Sequence, residues 1–427
     1  MKRMLLFVMA AALCARPGVF AQGTDEPSAD AVLQKARDLL AAAVTAAAPT
    51  DSAGYIDPVE PDDVDTATDR EYLPFTVGFV PGLSFPFGLY DTSLSLAAVG
   101  ALTGAVDGFQ GAGVFNIALG RVAGLQGAGV FNVVEGGVDG FQGAGVFNIA
   151  SGDVNGFQGA GVFNIADGDV GGAQGAGVFN IAEGEVSIFQ GAGIFNIAGS
   201  IEGVQAAGIF NAADHLDGLM LSGIVNVAGE ASGAMVGLVN VADSLDGVAI
   251  GLVNIIGNGI HDVAAEYQFA SDSVYATYRS GTPFLYGVFY AGQPAAEALR
   301  SYEWVTLGAG LGHRFHVLFL TADVELAAEA PMDAAALAGL VDAIDGTWSP
   351  GGYGWPGAFG SVRASFGLGA RKGFGIYAGI KADFGISGWG SVPERLRRSS
   401  FGNGSYAFNL FGKTVDLWPK WFIGVKM

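Results

Sequence analysis

One spacing limits what this chain can become. Between Gly108 and Asn254 an asparagine returns at Asn116, Asn132, Asn148, Asn164, Asn180, Asn196, Asn211, Asn226, Asn240 and Asn254, at steps of 16 residues five times, then 15 twice, then 14 twice. Around each lies a variant of Gly-Phe-Gln-Gly-Ala-Gly-Val-Phe-Asn-Ile-Ala. A period this short holds at most one long strand and a turn, so helix pairs, leucine-rich units and propeller blades are excluded. The array is read as an all-β tandem repeat.

In the type unit Phe141 to Asn155, one strand parity carries Phe141, Gly143, Gly145, Phe147 and Ile149, and the other carries Gln142, Ala144, Val146, Asn148 and Ala150. Strand side chains alternate faces, so one face is aromatic with glycine gaps and the other is small and apolar with two amides. Both faces call for cover. Ser151 to Gly156 reads as the turn, because Gly, Asn and Asp supply positive φ there. The acids of each unit fall in this turn.

Two architectures follow. In a β-solenoid-like array each unit is one rung, like residues stack at about 4.8 Å, and stacked asparagines satisfy one another's amides. In a single up-and-down outer-membrane β-barrel including the repeats, each unit is one antiparallel strand of about ten residues, enough to cross a bilayer. Membrane barrels alternate short turns with longer loops, whereas these connections are nearly equal. That evenness favours a solenoid, followed by an antiparallel, barrel-like C-terminal region.

The repeat passes from Gly-Phe-Gln-Gly-Ala-Gly-Val-Phe-Asn-Ile-Ala into Gly-Leu-Met-Leu-Ser-Gly-Ile-Val-Asn-Val-Ala and then Gly-Val-Ala-Ile-Gly-Leu-Val-Asn-Ile-Ile (Gly247 to Ile256). It resembles bacterial surface-repeat proteins built on Gly-x-Gln-x-Gly-Leu-x-Asn units, over roughly Phe75 to Ala291. The resemblance implies an exported or surface-exposed protein of uncharacterised activity. The units here are richer in glycine than that pattern, and glutamine leaves the array after Gln205.

The remaining sequence sets the address. Lys2 and Arg3, the apolar run Leu5 to Leu13 and Val19-Phe20-Ala21 form a tripartite secretory signal over residues 1–21. The sole cysteine, Cys14, lies inside it, so a mature chain cut at Ala21 has no disulfide, thiol nucleophile or thiolate metal site. Residues 22–72 read as a helix from Ser28 to Ala48 and an acidic, proline-bearing linker; residues 73–105 as lead-in strands capping the array; 106–260 as the repeats; 261–427 as the C-terminal antiparallel region. The chain carries a net charge of −21, with no lysine or arginine between Arg121 and Arg279, and nucleic acid is thereby excluded as a partner of the array. After the signal there is no apolar run long enough for a spanning helix.

Beyond Tyr267, strands are expected at Val274 to Arg279, Phe284 to Ala291, Trp304 to Phe315, Val317 to Leu326, Ser361 to Ala370, Gly373 to Phe384 and Trp421 to Met427, with a short helix at Asp333 to Ile344. All six tryptophans lie in this region, where they suit an aromatic girdle or a soluble core equally. Candidates for chemistry are few. His313 and His316 are three apart on a strand and face opposite ways, while His215 and His261 are assigned to turns of the array. The paired turn acids Asp153, Asp167, Asp169, Glu183 and Glu185 are weak calcium candidates, better read as solvated turns that guard against edge pairing. No serine elbow occurs, and the glycine motif lies within a strand rather than before a helix. The expectation is an exported outer-membrane or cell-surface structural or interaction protein without catalytic residues or cofactor. An envelope component is its expected partner, and whether it takes a protein or a glycan is left open. The rival expectation is an outer-membrane pore or transport barrel; a carbohydrate-binding or depolymerising solenoid is a third.

Overall fold

The computed structural model describes residues 70–295, 304–317, 320–333, 357–369, 374–386, 392–401, 406–410 and 412–427. The expected signal segment, the Ser28 to Ala48 helix, the linker up to residue 69 and the expected helix after Asp333 lie outside the described residues. The chain divides into two compact units between Gly237 and Leu238.

The first unit is a parallel β-solenoid. Each repeat lies in register on the next, with Phe147 beside Phe163, Asn148 beside Asn164 and Ile149 beside Ile165. Neighbouring units therefore run in the same direction, which overturns the single antiparallel barrel including the repeats. The structure also corrects the reading of one long strand per unit. The type unit bends at Gly145-Val146 into two strands, Val138–Ala144 and Phe147–Ala150. The assigned turn is shorter than expected, because Val154 already opens the next strand, Val154–Ala160. The two short strands per coil fuse into longer bent ones later, as in Phe195–Ala207 and Phe210–Ser222.

Four columns fill the inside of the stack. One is valine-like and runs Val106, Val122, Val138, Val154, Val170, Val186, Ile201 and Leu216; a second is mostly alanine; the other two are Gln110 to Gln205 and Asn116 to Asn226, all with no exposed surface. A polar interior survives because each amide finds a copy of itself one coil away. Asn148 Nδ2 donates to Asn164 Oδ1 at 2.8 Å and to the Gly159 carbonyl at 2.9 Å. Gln158 Nε2 donates to Gln142 Oε1 at 2.7 Å. The two ladders therefore point in opposite senses, asparagine donating toward the C-terminus and glutamine toward the N-terminus. After Gln205 the glutamine column continues as Met220 and Met235, which need no such partner.

Outside the bend, Phe115, Phe131, Phe147, Phe163, Phe179 and Phe195 stack ring on ring, with centroids 4.8–5.2 Å apart. Glycine makes the bend possible. A Cβ on Gly145 would stand 2.1 Å from the Gly129 carbonyl oxygen, and the same holds for Gly161 against Gly145. A second glycine column, including Gly140 and Gly156, takes φ of +135° and +143°, where other residues are strained.

The second unit holds the last coils and a closed antiparallel barrel of eight strands: Ile260–Gln268, Ser273–Gly281, Tyr286–Pro294, Trp304–Val317, Leu320–Asp333, Phe359–Gly369, Gly375–Ile386 and Lys413–Lys426. The last strand pairs with the first, Glu266 opposite Gly424, which closes the cylinder. A ninth strand, Tyr406–Leu410, forms a hairpin on the last one. His261 lies in the first barrel strand and His215 in a solenoid strand, not in turns.

Two substitution pairs test the stack. Asn148→Ala removes a donor, an acceptor and the partner of Asn132 Nδ2, and is expected to lower local stability by about 2–4 kcal/mol. Asn116→Ala, at the end of the ladder, is expected to cost about half of that. Hydrogen exchange of the amides in each coil measures both, since a repeat array need not unfold in one step. Gly145→Ala is expected to cost about 3 kcal/mol or more, whereas Gly127→Ala, whose Cβ would meet nothing within 4 Å, is expected to be neutral or stabilising by about 0.5 kcal/mol.

Candidate functional site: the barrel lumen and its outer band

The barrel strands alternate over most of their length, and the alternation is inside out with respect to a water-soluble sheet. In Leu320–Asp333, Val324 and Leu326 point outward and are exposed, while Asp323, Glu325 and Glu329 point inward and are buried. In Phe359–Gly369, Val362, Phe366 and Leu368 are outward and Arg363 is inward. In Lys413–Lys426, Trp421, Ile423 and Val425 are outward and Lys420 and Lys426 inward. A period of two, apolar outside and charged inside, is imposed by the pleat alone.

Eight strands leave an interior that side chains can fill. Six carboxylates, Asp262, Glu266, Asp323, Glu325, Glu329 and Asp383, meet six cations, Arg279, Arg314, Arg363, Lys381, Lys420 and Lys426, all buried. At the level of Glu266, Arg279 Nη2 stands 3.1 Å from Glu266 Oε1 and Arg279 Nε 2.5 Å from Glu325 Oε1. Tyr286 and Tyr290 donate to Glu325 at 2.9 and 2.6 Å, and Tyr377 donates to Glu266 at 2.6 Å. The Arg363 guanidinium lies between the rings of Tyr290 and Phe422, 4.5 and 4.4 Å from their centroids. Toward the end at which Ile260 begins the first barrel strand, Arg314 forks onto Asp323 at 2.6 and 3.0 Å and reaches Asp262 at 2.6 Å. Toward the other end, Lys381 bridges Glu329 at 2.6 Å and Asp383 at 3.2 Å, and Lys420 pairs with Asp383. The short 3-10 helix Glu394–Arg397 joins this end: Leu396 is buried beside Phe359 and Trp418, and its carbonyl accepts from Lys420 Nζ at 2.6 Å.

Among the described residues, these buried carboxylates and cations are equal in number and lie against one another. Removing one partner of a buried pair strands the other in a medium that solvates it poorly, which is more damaging than losing the attraction.

The residues singled out from the sequence lie elsewhere. Asn116 through Asn226 form the ladder inside the first unit, and Asn240 donates to Asn254 at 2.8 Å in the second. The Asn254 amide in turn reaches the Ser280 carbonyl of the barrel at 3.1 Å. Asp153 Oδ1 accepts the backbone N–H of Asp169 at 2.9 Å, and Asp169 Oδ1 that of Glu185 at 2.8 Å. These two carboxylates thus staple each turn to the next. Asp167 and Glu185 are partly exposed and Glu183 exposed at the same edge. Among the described residues no group of three or more acidic, histidine or cysteine side chains is placed to hold a metal ion. His313 contacts the Phe284 carbonyl at 2.7 Å, and His316 is exposed. Of the tryptophans with described side chains, Trp421 faces outward and Trp418 is buried. Sequence reasoning missed the lumen network. Its signal was a charge at every second or fourth position of otherwise apolar strands, as in Val324-Glu325-Leu326-Ala327-Ala328-Glu329.

Glu325→Gln is expected to destabilise the barrel by about 3–5 kcal/mol, because Arg279 keeps its charge and loses its closest acceptor. Val324→Ala, next to it but outward, is expected to cost under about 1 kcal/mol. Denaturant titration followed by tryptophan fluorescence distinguishes the two.

Comparison with protein-family models, with curated proteins and with solved structures found no match. The likeness to Gly-x-Gln-x-Gly-Leu-x-Asn proteins therefore rests on the repeat motif alone.

Proposed function

We propose that this chain is an exported outer-membrane protein of structural or interaction type, in which the barrel is a membrane anchor and the solenoid is the working arm, with no catalytic step. The observation that carries this reading is the outward surface of the eight strands. Exposed Val263, Leu311, Leu326, Phe366, Ile376 and Ile423 come from six different strands, and in water each would stand against the hydrophobic effect at about 25 cal/mol per Å². In lipid the same band is the favourable solvent, and the closed hydrogen-bonded cylinder leaves no sheet edge unpaired there. Strands of 9–14 residues suffice to span it.

Loop length supports an orientation. Short connections join Gly281 to Tyr286, Val317 to Leu320 and Gly369 to Gly375, whereas the opposite end carries the long ones, Asp333 to Phe359 and Ile386 to Lys413. Membrane barrels keep short turns on the periplasmic side. The chain enters the barrel at Ile260, on the short-turn end, so the repeats before it are assigned to the periplasmic side rather than to the cell surface. The paired charges in the lumen favour an anchor over an open pore.

The proposal is tested with single cysteines in a mature chain that otherwise has none. Lys413→Cys, at the long-loop end, is expected to react with a membrane-impermeant maleimide on intact bacteria; Asp217→Cys, in the solenoid, only after the outer membrane is permeabilised. Labelling of Asp217→Cys on intact cells would reverse the orientation. Recovery of the protein in the soluble fraction without detergent would remove the membrane anchor altogether.

A further inference from the structure

One arc of the barrel rim carries positive charge that the lumen does not use. At the long-loop end, the 3-10 helix Glu394–Arg397 and the residues after it are tied to strands on both sides of the arc. Arg395 donates from Nε to the Ser271 carbonyl and from Nη2 to the Asp272 carbonyl, both at 3.0 Å, and meets the Asp272 carboxylate at 3.3 Å. Ser399 Oγ and the Ser400 N–H donate to the Pro419 carbonyl at 3.2 and 2.8 Å, and the Trp421 N–H donates to Ser400 Oγ at 3.1 Å. Phe401 then lies against the outward ring of Trp421, with centroids 5.2 Å apart. Arg395 is committed to this anchoring. Arg397 and Arg398 are not: both are exposed and, among the described residues, neither forms an ion pair. Glu394, exposed at the start of the helix, is the one acid of Glu394–Arg398. In a chain of net charge −21, two uncommitted guanidinium groups beside an outward aromatic pair form a local positive patch.

Two residues further down the last strand, at Ile423, the outer wall is hollowed into a groove of about 570 Å³. Tyr267 and Val274 bound it on one side and Phe366 and Leu368 on the other, while the outward alanines Ala265 and Ala378 keep the wall between them low. It offers no open polar side chain. Glu266 and Tyr377 in its lining are turned to the lumen and bonded to each other, and the Tyr267 hydroxyl donates to Asp272 at 2.9 Å. An apolar trough thus runs down the barrel from a rim that carries cations and aromatic rings, the side chains suited to the headgroup level of a bilayer.

We propose that this arc is a binding site for one anionic phospholipid, its phosphate held by Arg397 and Arg398 and an acyl chain laid in the groove. Guanidinium groups fork onto phosphate oxygens. A trough without polar groups takes hydrocarbon and would leave a peptide backbone unsatisfied. The site rests on the membrane-anchor reading and names the lipid that the anchor selects.

The full chain in detergent is titrated with dimyristoyl phosphatidylglycerol, with dimyristoyl glycerol, which has the same chains and no phosphate, and with glycerol phosphate, which has no chains. Native mass spectrometry counts the bound lipid. Phosphatidylglycerol is expected to be retained one per chain, dimyristoyl glycerol about tenfold more weakly, and glycerol phosphate is expected not to compete. Arg397→Gln together with Arg398→Gln is expected to weaken phosphatidylglycerol about tenfold and leave dimyristoyl glycerol unchanged. Ala378→Leu, which fills the groove from an exposed position, is expected to weaken both lipids. Equal retention of the two lipids, retention unaffected by either variant, competition by glycerol phosphate, or a dimer that excludes lipid would each overturn the proposal. Gel migration of the same samples with and without heating separates the two readings: a folded, detergent-requiring barrel without lipid preference removes the lipid site and leaves the anchor, whereas a chain soluble without detergent removes both.

Discussion

Parallel, in-register stacking is the constraint on which the rest of the first unit depends. Once coil lies on identical coil, every interior polar group must be satisfied by a copy of itself, and only a side chain that both donates and accepts can do so. Asparagine and glutamine qualify, which is why two amide columns persist with no exposed surface. The asparagine orientation is fixed by a second bond, since Nδ2 also reaches a backbone carbonyl such as that of Gly159. Of the opposed ladders of the first unit, the glutamine ladder has its donor end capped, Gln110 donating to Thr103; within the second unit the Asn254 amide donates to the Ser280 carbonyl. The acceptor ends of the first unit's ladders, Asn116 Oδ1 and Gln205 Oε1, are left without donors. Unsatisfied carbonyl oxygens are tolerated better than unsatisfied N–H groups, so the arrangement leaves the less costly ends open.

The same stacking explains the glycine content. Repeating one bend at each coil brings the backbone at Gly145 onto the carbonyl of Gly129, and a methyl group has no place there. The barrel solves the opposite problem. Its strands are antiparallel and unlike one another, so no side chain meets its own kind, and polar groups are satisfied by opposite charge instead. Arg279 between Glu266 and Glu325 does for the lumen what an asparagine does for the coil. In both units most of the buried amides and charges are paired.

Much of the solenoid was legible because repetition amplifies a weak signal: ten asparagines at near-constant steps specify register, and register specifies the ladder. The bend at Gly145-Val146 was not legible, because strict alternation continues through it and a glycine within a strand reads as a gap for packing. The first barrel strand was lost for a related reason. Ile260–Gln268 follows the last coil without a break, and His261 was assigned to the array's turn although it begins the new sheet. The lumen was hidden by distance in sequence, since Glu266 finds Arg363 and Tyr377 only when the cylinder closes. The turn acids show what composition leaves out: Asp153 and Asp169, weak calcium candidates better read from the sequence as solvated turns, each accept a backbone N–H of the next coil in the fold.

The central claim is that the repeats advance along one axis by one strand spacing per unit, and distances between spin labels measure it directly. Asp107, Asp139, Glu202 and Asp217 occupy one exposed column, two, six and seven coils apart counting from the first. With Asp107 labelled in each pair, separations are predicted to grow linearly, to about 10, 29 and 34 Å at about 4.8 Å per coil. Distances that stay level or alternate as coils are added would contradict the stacked-coil account.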